Sequence, residues 1–431
     1  MGEPRLIAQG ITAEEQLWGA WQFPFPYKTK EGLAVSVHVA EDGIAHFKKD
    51  TKLWFQSTDN GESWRPADSA IAAECGLELQ GGDRLFFPQV GSVDVTDYTF
   101  TMPRYRTPAT DMNAQAPEGV IPVPDGMTFS STNLIYGYDA DRLPPSLCKK
   151  EWLALRIPAG SNTPIEEPVA LNWPRLTRVV YIRDGKRLLR PLFPHGRARL
   201  GPDGAIWIST YTGDGFIDPE TGRYSPYYGA AILRSEDNGH TFTLHAHMSY
   251  PADGSEDYPY LSGGFSDNDF EFFPDGSMVW FLRSAWMGRT GYEWAPMYMS
   301  RSTDLGKTWS KPVPFAPIGI YPSLCTLKGG VKLLCYARPG TFVTASRDGI
   351  NWCEPLTVMT PDDRGGLANA LPDQPEFHHW DGSCCNPQLL ALEDGSALIF
   401  YSDFYYPDEN GVKRKSILCR RLTVEEEPCE N

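Results

Sequence analysis

The sequence lacks a long hydrophobic run and any excess of positive charge. No apolar stretch approaches the roughly 18–20 residues that are needed to cross a bilayer. The formal net charge is −16 at pH 7. This charge argues against nucleic acid and anionic membrane surfaces as partners, although one basic pocket on an acidic protein can still bind an anionic ligand. We therefore expect no nucleic-acid partner and no membrane partner.

Signals for export and for metal binding are also missing. Residues Met1–Ala8 carry no hydrophobic export segment, and no Asn-X-Ser/Thr acceptor occurs anywhere in the chain. The nine cysteines are an odd number without paired metal-ligand spacing, which favours free thiols in a reducing compartment. We expect a cytoplasmic protein as the chain is given, or a periplasmic or secreted one if a leader was removed. The sequence implies no metal and no organic cofactor.

Turn-forming and aromatic residues, in contrast, are abundant. The 431 residues include 40 glycines and 37 prolines, and 13% of the chain is aromatic. A chain with this composition has many turns, as an all-β repeat protein should have, and β-propellers reach this length as one closed unit.

Four stretches repeat one short pattern. Three of them have Ser, Asp and Gly at alternate positions and end on an aromatic residue, and the fourth lacks the residue between Asp and Gly. The pattern predicts a turn between two strands. In such a turn the Asp carboxylate accepts hydrogen bonds from the turn's own N–H groups, Gly supplies a positive φ, and the aromatic residue packs beneath. The four stretches are Ser57–Trp64, Ser235–Phe242, Ser302–Trp309 and Ser346–Trp352.

These stretches resemble the Asp-boxes, or BNR repeats, of the sialidase (neuraminidase) superfamily of six-bladed β-propellers. In that family the boxes lie on the outer turns of the blades, away from the active site. The resemblance therefore implies the fold, an all-β six-bladed propeller of four-stranded antiparallel blades, and says little about the chemistry.

A second repeated element, a glycine turn followed by an apolar or alternating strand, sets the register of the blades. We predict blades at about 20–65, 195–242, 263–310, 318–353 and 383–422. The span of about 80–190 has no box and is interpreted as a degenerate sixth blade with long insertions, including a loop-rich region near 100–130. No linker divides the chain, so we expect one domain over residues 1–431. The strands predicted after the turns are Leu33–Val39, Ala205–Tyr211, Ser277–Arg283, Val331–Arg338 and Ser396–Asp403.

Polar, aromatic and ionisable residues concentrate at the predicted strand ends that should share one mouth of the central channel. This concentration predicts a binding site there. Residues at or next to the ends of the second strands are His38, Tyr211, Arg283, Arg338 and Asp403; those that precede or begin the first strands are Gln22, His195, Arg197, Asp267, Asp269, Tyr321 and Asn386.

The residue types suggest roles for these positions. Arg283 and Arg338 provide bidentate recognition of a carboxylate or sulfate on a sugar. Asp267 or Asp269 would carry out acid/base work, and His195 and Tyr211 are alternative proton carriers. The aromatic face of Trp286 could stack on a sugar. The remaining positions, Arg197, Gln22, His38, Tyr321, Asn386 and Asp403, are assigned to substrate binding.

The sialidase resemblance extends only partly into the site. Arg283 matches the second arginine of the family's substrate-carboxylate triad, Arg338 approximately matches the third, and Asp267 falls where the family has its assisting Glu. Gln22 occupies the place of the first arginine, and Asn386 that of the Tyr nucleophile. The resemblance therefore implies a divergent active site and not an ordinary sialidase.

We expect a glycoside hydrolase of the sialidase-like superfamily that cleaves a glycosidic bond at an acidic sugar in an oligo- or polysaccharide. Two alternatives remain open at this stage. The chain could be a polysaccharide lyase on the same propeller, working through His and Tyr, or a non-catalytic carbohydrate-binding propeller in which the catalytic positions have been lost.

Overall fold

The computed structural model describes most of the 431 residues. It does not describe the longer segments 11–17, 42–50, 99–119, 122–133, 250–261, 287–295, 360–385 and 426–431. It also does not describe residues 89, 162, 184, 193, 213–215, 218, 221–223, 226–227, 318 and 338–339.

The chain divides into two compact units. The first unit consists of Met1–Cys75, Phe273–Asp275 and Ile318–Asn431, and the second of Gly76–Phe272 and Gly276–Pro317. Helix in the described residues is limited to two short 3₁₀ turns, Ser69–Glu74 and Ala140–Arg142. No described helix is long and apolar enough to cross a membrane.

The other regular structure in the described residues is β-strand. The first strands are β1 (Arg5–Gln9), β2 (Trp18–Lys28), β3 (Leu33–Glu41), β4 (Thr51–Ser57), β5 (Arg65–Ala67), β6 (Leu77–Glu78), β7 (Arg84–Phe86), β8 (Val93–Asp94), β9 (Val120–Ile121), β10 (Leu134–Asp139), β11 (Glu151–Ile157), β12 (Ile165–Asn172), β13 (Thr177–Arg183) and β14 (Lys186–Leu189). The later strands are β15 (Arg199–Leu200), β16 (Ile206–Thr212), β17 (Phe216–Ile217), β18 (Tyr224–Ser225), β19 (Gly229–Ser235), β20 (Thr241–Ser249), β21 (Ser262–Phe272), β22 (Met278–Trp286), β23 (Met297–Ser302), β24 (Val313–Ala316), β25 (Ile320–Thr326), β26 (Lys332–Ala337), β27 (Thr341–Ser346), β28 (Leu356–Met359), β29 (Gln388–Ala391), β30 (Ala397–Pro407) and β31 (Lys413–Leu422). Strands such as β11 and β12 alternate between buried and more exposed residues, whereas β16 and β26 are buried almost throughout, as expected of strands that are covered on both faces.

The first unit contains three four-stranded antiparallel blades. Two of them follow the chain, in the orders β2-β3-β4-β5 and β25-β26-β27-β28. The third has the order β29-β30-β31-β1, so its outer strand comes from the N-terminus. There Arg5 pairs with Cys419 and Gln9 with Ser416. The sequence did not predict this contribution of β1 to the last blade, because a single five-residue strand carries no turn signal of its own.

The second unit contains the other three blades. Strands β21-β22-β23-β24 form one of them. An eight-stranded sheet, β15-β16-β19-β20-β12-β11-β7-β6, consists of two four-stranded halves that join where β12 runs parallel to β20. The half made of β6, β7, β11 and β12 is the blade that the sequence analysis described as degenerate. The fold is thus the predicted all-β one, built from six four-stranded blades of β-propeller type.

One insertion between β7 and β11 and a second segment after β12 together build a separate sheet. Its order is β8-β14-β13-β10-β9, so strands from before and after β11 and β12 meet in it. We call it the inserted sheet. The predicted loop-rich region near 100–130 lies mostly outside the described residues, and Val120–Ile121 within it forms β9.

The four repeated turns share one hydrogen-bond geometry. In the first, the Ser57 hydroxyl donates to Asp59 over 2.7 Å and accepts from Gly61 N over 2.9 Å, while Asp59 accepts from Ser63 N over 2.9 Å. The corresponding bonds recur at Ser235, Ser302 and Ser346. Each turn joins the third strand of a blade to the fourth, and its glycine has a positive φ, 90° at Gly61. The predicted turn chemistry is confirmed.

Hydroxyl donors inside these turns hold the aspartates in their charged form. The side chain of Ser63 is the main cause that lowers the pKa of Asp59 to about 2, and the side chain of Thr308 does the same for Asp304. A carboxylate that accepts several short hydrogen bonds gives up its proton more readily, because every bond favours the ionised state. These aspartates are therefore ionised side chains that stabilise the turns.

The core of the second unit lies between consecutive blades. Trp207 and Phe265 are fully buried beside Phe270 and Trp280, in a cluster that joins the blade containing β16 to the blade containing β21. Buried aromatic side chains of this size dominate packing energetics, and truncating one costs about 3–5 kcal/mol. The cluster therefore packs the two blades against each other.

His245 of β20 makes the stability of the second unit depend on pH. Its Nε2 atom lies 3.0 Å from the Leu305 carbonyl oxygen, and its ring meets Trp207 edge-on. Burial lowers the pKa of His245, so the unfolded chain binds the proton more readily than the folded chain. The stabilisation that neutral His245 contributes is therefore full at pH values above about 6.5, the pKa of a histidine in the unfolded chain. It is lost as the pH falls below that value.

We expect His245→Gln, which keeps an N–H donor, to lose less stability than the wild type when the pH falls from about 7 to about 5. Urea midpoints measured at a series of pH values test this. Parallel pH profiles for the two proteins would contradict it.

Candidate functional site

Four consecutive polar residues, 266–269, are buried in the innermost strand β21. Their exposed fractions are 5% for Ser266, 9% for Asp267, 6% for Asn268 and 5% for Asp269. Burying a polar group is costly unless a partner compensates it. Asp267 and Asp269 were predicted to precede or begin the first strand of their blade; in the structure they lie inside this strand, which begins at Ser262. A bulge between Phe265 and Asn268 interrupts the pairing with β22 there.

Asp267 forms an ion pair with Arg283 of the neighbouring strand β22. Its Oδ2 atom lies 2.6 Å from Arg283 Nη1. The bulge places Asp267 opposite the end of β22 where Arg283 lies, since Phe265 pairs with Ser284 and Asn268 with Leu282. The structure thus brings together two residues that the sequence analysis had selected separately. A guanidinium has five N–H donors, so Arg283 can hold Asp267 and still donate to a further acceptor.

Asp269 is held from the preceding blade by Arg199. The Arg199 Nη2 atom donates to Asp269 Oδ1 over 2.7 Å, and the guanidinium lies over the Phe270 ring at 4.7 Å. The Phe270 N–H donates to the same carboxylate oxygen over 3.0 Å. Arg199 was not predicted as a site residue. Its spacing of two residues from Arg197, just before the glycine turn at Gly204, is the signal that could have indicated it.

Asn268 of β21 connects its strand to β16 and β22. Its Nδ2 donates to the Thr210 carbonyl over 2.9 Å and to the Ser266 carbonyl over 2.8 Å, while its Oδ1 accepts from Trp280 Nε1 over 2.8 Å. A buried amide whose nitrogen and oxygen both have hydrogen-bond partners favours one arrangement of the chain around it. Asn268 therefore positions the residues on either side of it, Asp267 and Asp269.

His195 and Tyr211 form a stacked pair beside strand β16. Their ring centroids lie 3.8 Å apart, and His195 Nδ1 lies 3.1 Å from the Thr210 hydroxyl. Solvent reaches His195, yet protein atoms crowd its ring; this desolvation lowers the pKa of the imidazole, and Arg190 acts in the same direction. His195 is therefore neutral near pH 7, as an ordinary histidine with a pKa of about 6.5 mostly is.

The remaining predicted residues of the second unit flank these groups. Arg197 is half-buried and lies in the chain between His195 and Arg199. Trp286 is the last residue of β22 and pairs with Ser262 of β21. Arg197 therefore lies just before β15, which carries Arg199, and Trp286 lies beside the beginning of β21, which carries the two carboxylates.

The other predicted residues belong to the first unit. Gln22 and His38 lie in paired strands, with Gln22 opposite Val39 and Phe23 opposite His38. Asp403 lies inside β30 and accepts from Tyr405 N over 2.8 Å. Arg338 lies outside the described residues.

Two residues of the first unit have unusual local geometry. Tyr321 adopts a positive φ of 52°, and its ring lies 5.9 Å from that of Phe23. Asn386 is 3% exposed, and its Nδ2 has no hydrogen-bond partner in the part of the chain that the structure describes. A non-glycine residue in the left-handed region and an orphaned buried donor each cost free energy, which is typical of sites where function constrains the chain.

No described group of three or more His, Cys, Asp or Glu side chains could hold a metal ion. The six described cysteines are free thiols.

Among the comparisons with known proteins, only the one with solved structures finds similar proteins. No protein-family model matches the sequence, and no curated protein matches it. Among solved structures, a protein of unknown function from Dyadobacter fermentans superposes with a TM-score of 0.50 at 15% identity, covering 98% of each chain. This similarity shows a shared fold and nothing further.

Two enzymes of known activity superpose more loosely. The NanB sialidase of Streptococcus pneumoniae has a TM-score of 0.44 and 12% identity, over 98% of this chain and 70% of that one. An α-L-arabinanase of Penicillium chrysogenum has a TM-score of 0.43 and 11% identity, over 97% and 98% of the two chains.

Proposed function

We propose that this protein is a carbohydrate-active enzyme that hydrolyses a glycosidic bond at an acidic sugar of an oligo- or polysaccharide. The observation that supports the proposal most is the pair of buried carboxylates on β21, each held by its own arginine: Asp267 by Arg283 and Asp269 by Arg199. Glycoside hydrolysis commonly uses two carboxyl groups near the scissile bond. The six blades would form one propeller domain, with this site at the ends of its inner strands.

Asp267 is the residue to which we assign acid/base work. It lies at a bulge, where a strand commonly redirects a side chain next to an active site. The Arg283 guanidinium beside it supplies the donors that would orient a substrate carboxylate bidentately. Asp269 is held more tightly, by Arg199 and by its own strand, which suits it to support the site or to act as the second carboxyl group.

A second candidate function, polysaccharide lysis by elimination, rests on the stacked pair of His195 and Tyr211. A neutral imidazole can abstract a proton, and a phenol beside it can deliver one to the leaving oxygen. This route would need no carboxylate as acid or base. The two candidate functions therefore assign the chemistry to different residues of one region.

A released-product assay separates the candidates. The protein is incubated with a panel of acidic and neutral glycans, and reducing ends and ultraviolet absorbance are read together. We expect new reducing ends without absorbance, because hydrolysis forms no double bond. Absorbance from an unsaturated uronide would overturn hydrolysis in favour of elimination. No product from any glycan, with some glycan still bound, would indicate a non-catalytic carbohydrate-binding propeller.

A further inference from the structure

A cavity of about 500 Å³ lies between the inserted sheet and the degenerate blade. Arg178 of β13 and Leu189 of β14 line one side, and Trp152 of β11 and Glu166 of β12 line the other. Its volume falls within the range of small-molecule sites, about 300–1,000 Å³. None of the residues assigned to the proposed active site lines it.

Arg178 is a buried charge in the wall of this cavity. The residue is 7% exposed, and its two terminal nitrogens donate to main-chain carbonyls, of Lys149 over 2.7 Å and of Arg190 over 3.3 Å. Among the described residues, its Nε has no hydrogen-bond partner and no carboxylate forms an ion pair with the guanidinium. Burial lowers the pKa of Arg178 to about 10, partly opposed by the charge of Glu151.

The other charged residues of the lining are already compensated or solvated. Glu167 pairs with Arg156 at 2.7 Å, and Glu151 pairs with Lys149 at 3.4 Å. Glu166 is exposed at the rim. The uncompensated buried charge is therefore the single positive charge of Arg178. A buried ion without a counter-ion is costly, and an anion that enters the cavity would offset that cost.

The lining also determines what kind of anion fits. Leu147 and Leu189 are buried apolar side chains on the cavity wall, and Trp152 is buried beside them. Each terminal nitrogen of Arg178 carries a second N–H from which a carboxylate oxygen can accept, and an organic body matches the apolar wall. We propose that this cavity is a second ligand site, separate from the proposed active site, that binds a small organic carboxylate through Arg178.

Calorimetric titration with sodium glucuronate, sodium benzoate and glucose tests the proposal. Glucose is the matched neutral control for glucuronate, since the two differ at the carboxylate. We expect both carboxylates to bind and glucose to bind at least about tenfold more weakly, because hydrogen bonds to charged groups are the stronger ones. Equal binding of glucose and glucuronate, or no binding of either carboxylate, would overturn the proposal.

Two variants assign the binding to this cavity. Arg178→Gln should reduce carboxylate affinity by tenfold or more. Glu166→Gln should raise it about two- to fivefold, because the variant removes a like charge from the rim. Glu78→Gln, at an exposed glutamate of β6 outside the cavity lining, is the control and should change nothing. If Arg178→Gln does not fold, Glu166→Gln still decides: unchanged affinity in that variant would overturn the proposal. A response to Glu166→Gln also distinguishes this cavity from carboxylate binding at Arg283.

Discussion

Replacing Asp267 with asparagine is expected to lower kcat by about 10²–10⁴-fold and to leave KM nearly unchanged. This is the range that a positioned acid or base contributes. Asparagine keeps the size of the side chain and an oxygen that can accept from Arg283, now 2.6 Å from the carboxylate, so the strand should keep its geometry. What is lost is the ability to exchange a proton. Steady-state kinetics on the glycan identified by the product assay measure the effect.

Asp203→Asn is the matched control for this variant. Asp203 also pairs with an arginine, Arg234 at 2.7 Å, and lies in the same unit, but it belongs to the turn between the first two strands of its blade. We expect the control to keep full kcat. An equal loss in both variants, or a loss of the thermal unfolding transition in Asp267→Asn alone, would show that the ion pair supports folding and not turnover.

Replacing Arg156 with methionine should lower the free energy of unfolding by about 3 kcal/mol, because it breaks a buried charge network. Arg156 is 7% exposed; its Nη2 atom lies 2.7 Å from Glu167 and donates to the Asn238 carbonyl over 2.9 Å. That carbonyl belongs to a repeated turn of the next blade, so the side chain joins two blades of the second unit. Methionine keeps most of the stem and removes the charge. Urea midpoints with a common m-value measure the change.

The comparison variant is Arg5→Met, which breaks an exposed ion pair. Arg5 and Glu62 lie 2.9 Å apart with side chains 50% and 51% exposed. Exposed pairs contribute about 0–1 kcal/mol, so its urea midpoint should shift little. If both variants shift the urea midpoint by the same amount, burial does not determine how much these arginines contribute to the free energy of unfolding.

The turns and the strands that follow them could be predicted from the sequence because their causes are local. A Ser, an Asp and a Gly within five residues are enough to satisfy a turn's own N–H groups and to supply a positive φ. The glycine turns between first and second strands gave the register for the same reason: Gly204, Gly276 and Gly395 all have positive φ. The predicted strands after them differ from the observed ones by a few residues at most.

The pairings that organise the candidate site could not be predicted in this way. Asp267 and Arg283 were selected as separate positions, and their ion pair depends on a bulge that the sequence pattern does not mark. Arg199 reaches Asp269 from another blade across 70 residues of chain. Asn268 has a role only because the Thr210 carbonyl and the Trp280 ring lie beside it.

Local residue patterns thus predict an all-β chain, its repeated turns and the strand ends where ionisable residues concentrate. The folded chain adds that β1 completes the last blade, that the strands β8, β9, β10, β13 and β14 form a sheet, and that no described carboxylate forms an ion pair with the buried Arg178. The difference lies in the range of the interactions. Turn geometry depends on neighbours within a few residues, whereas strand pairing, burial and ion-pair partners depend on residues that are distant in the chain and meet only after folding.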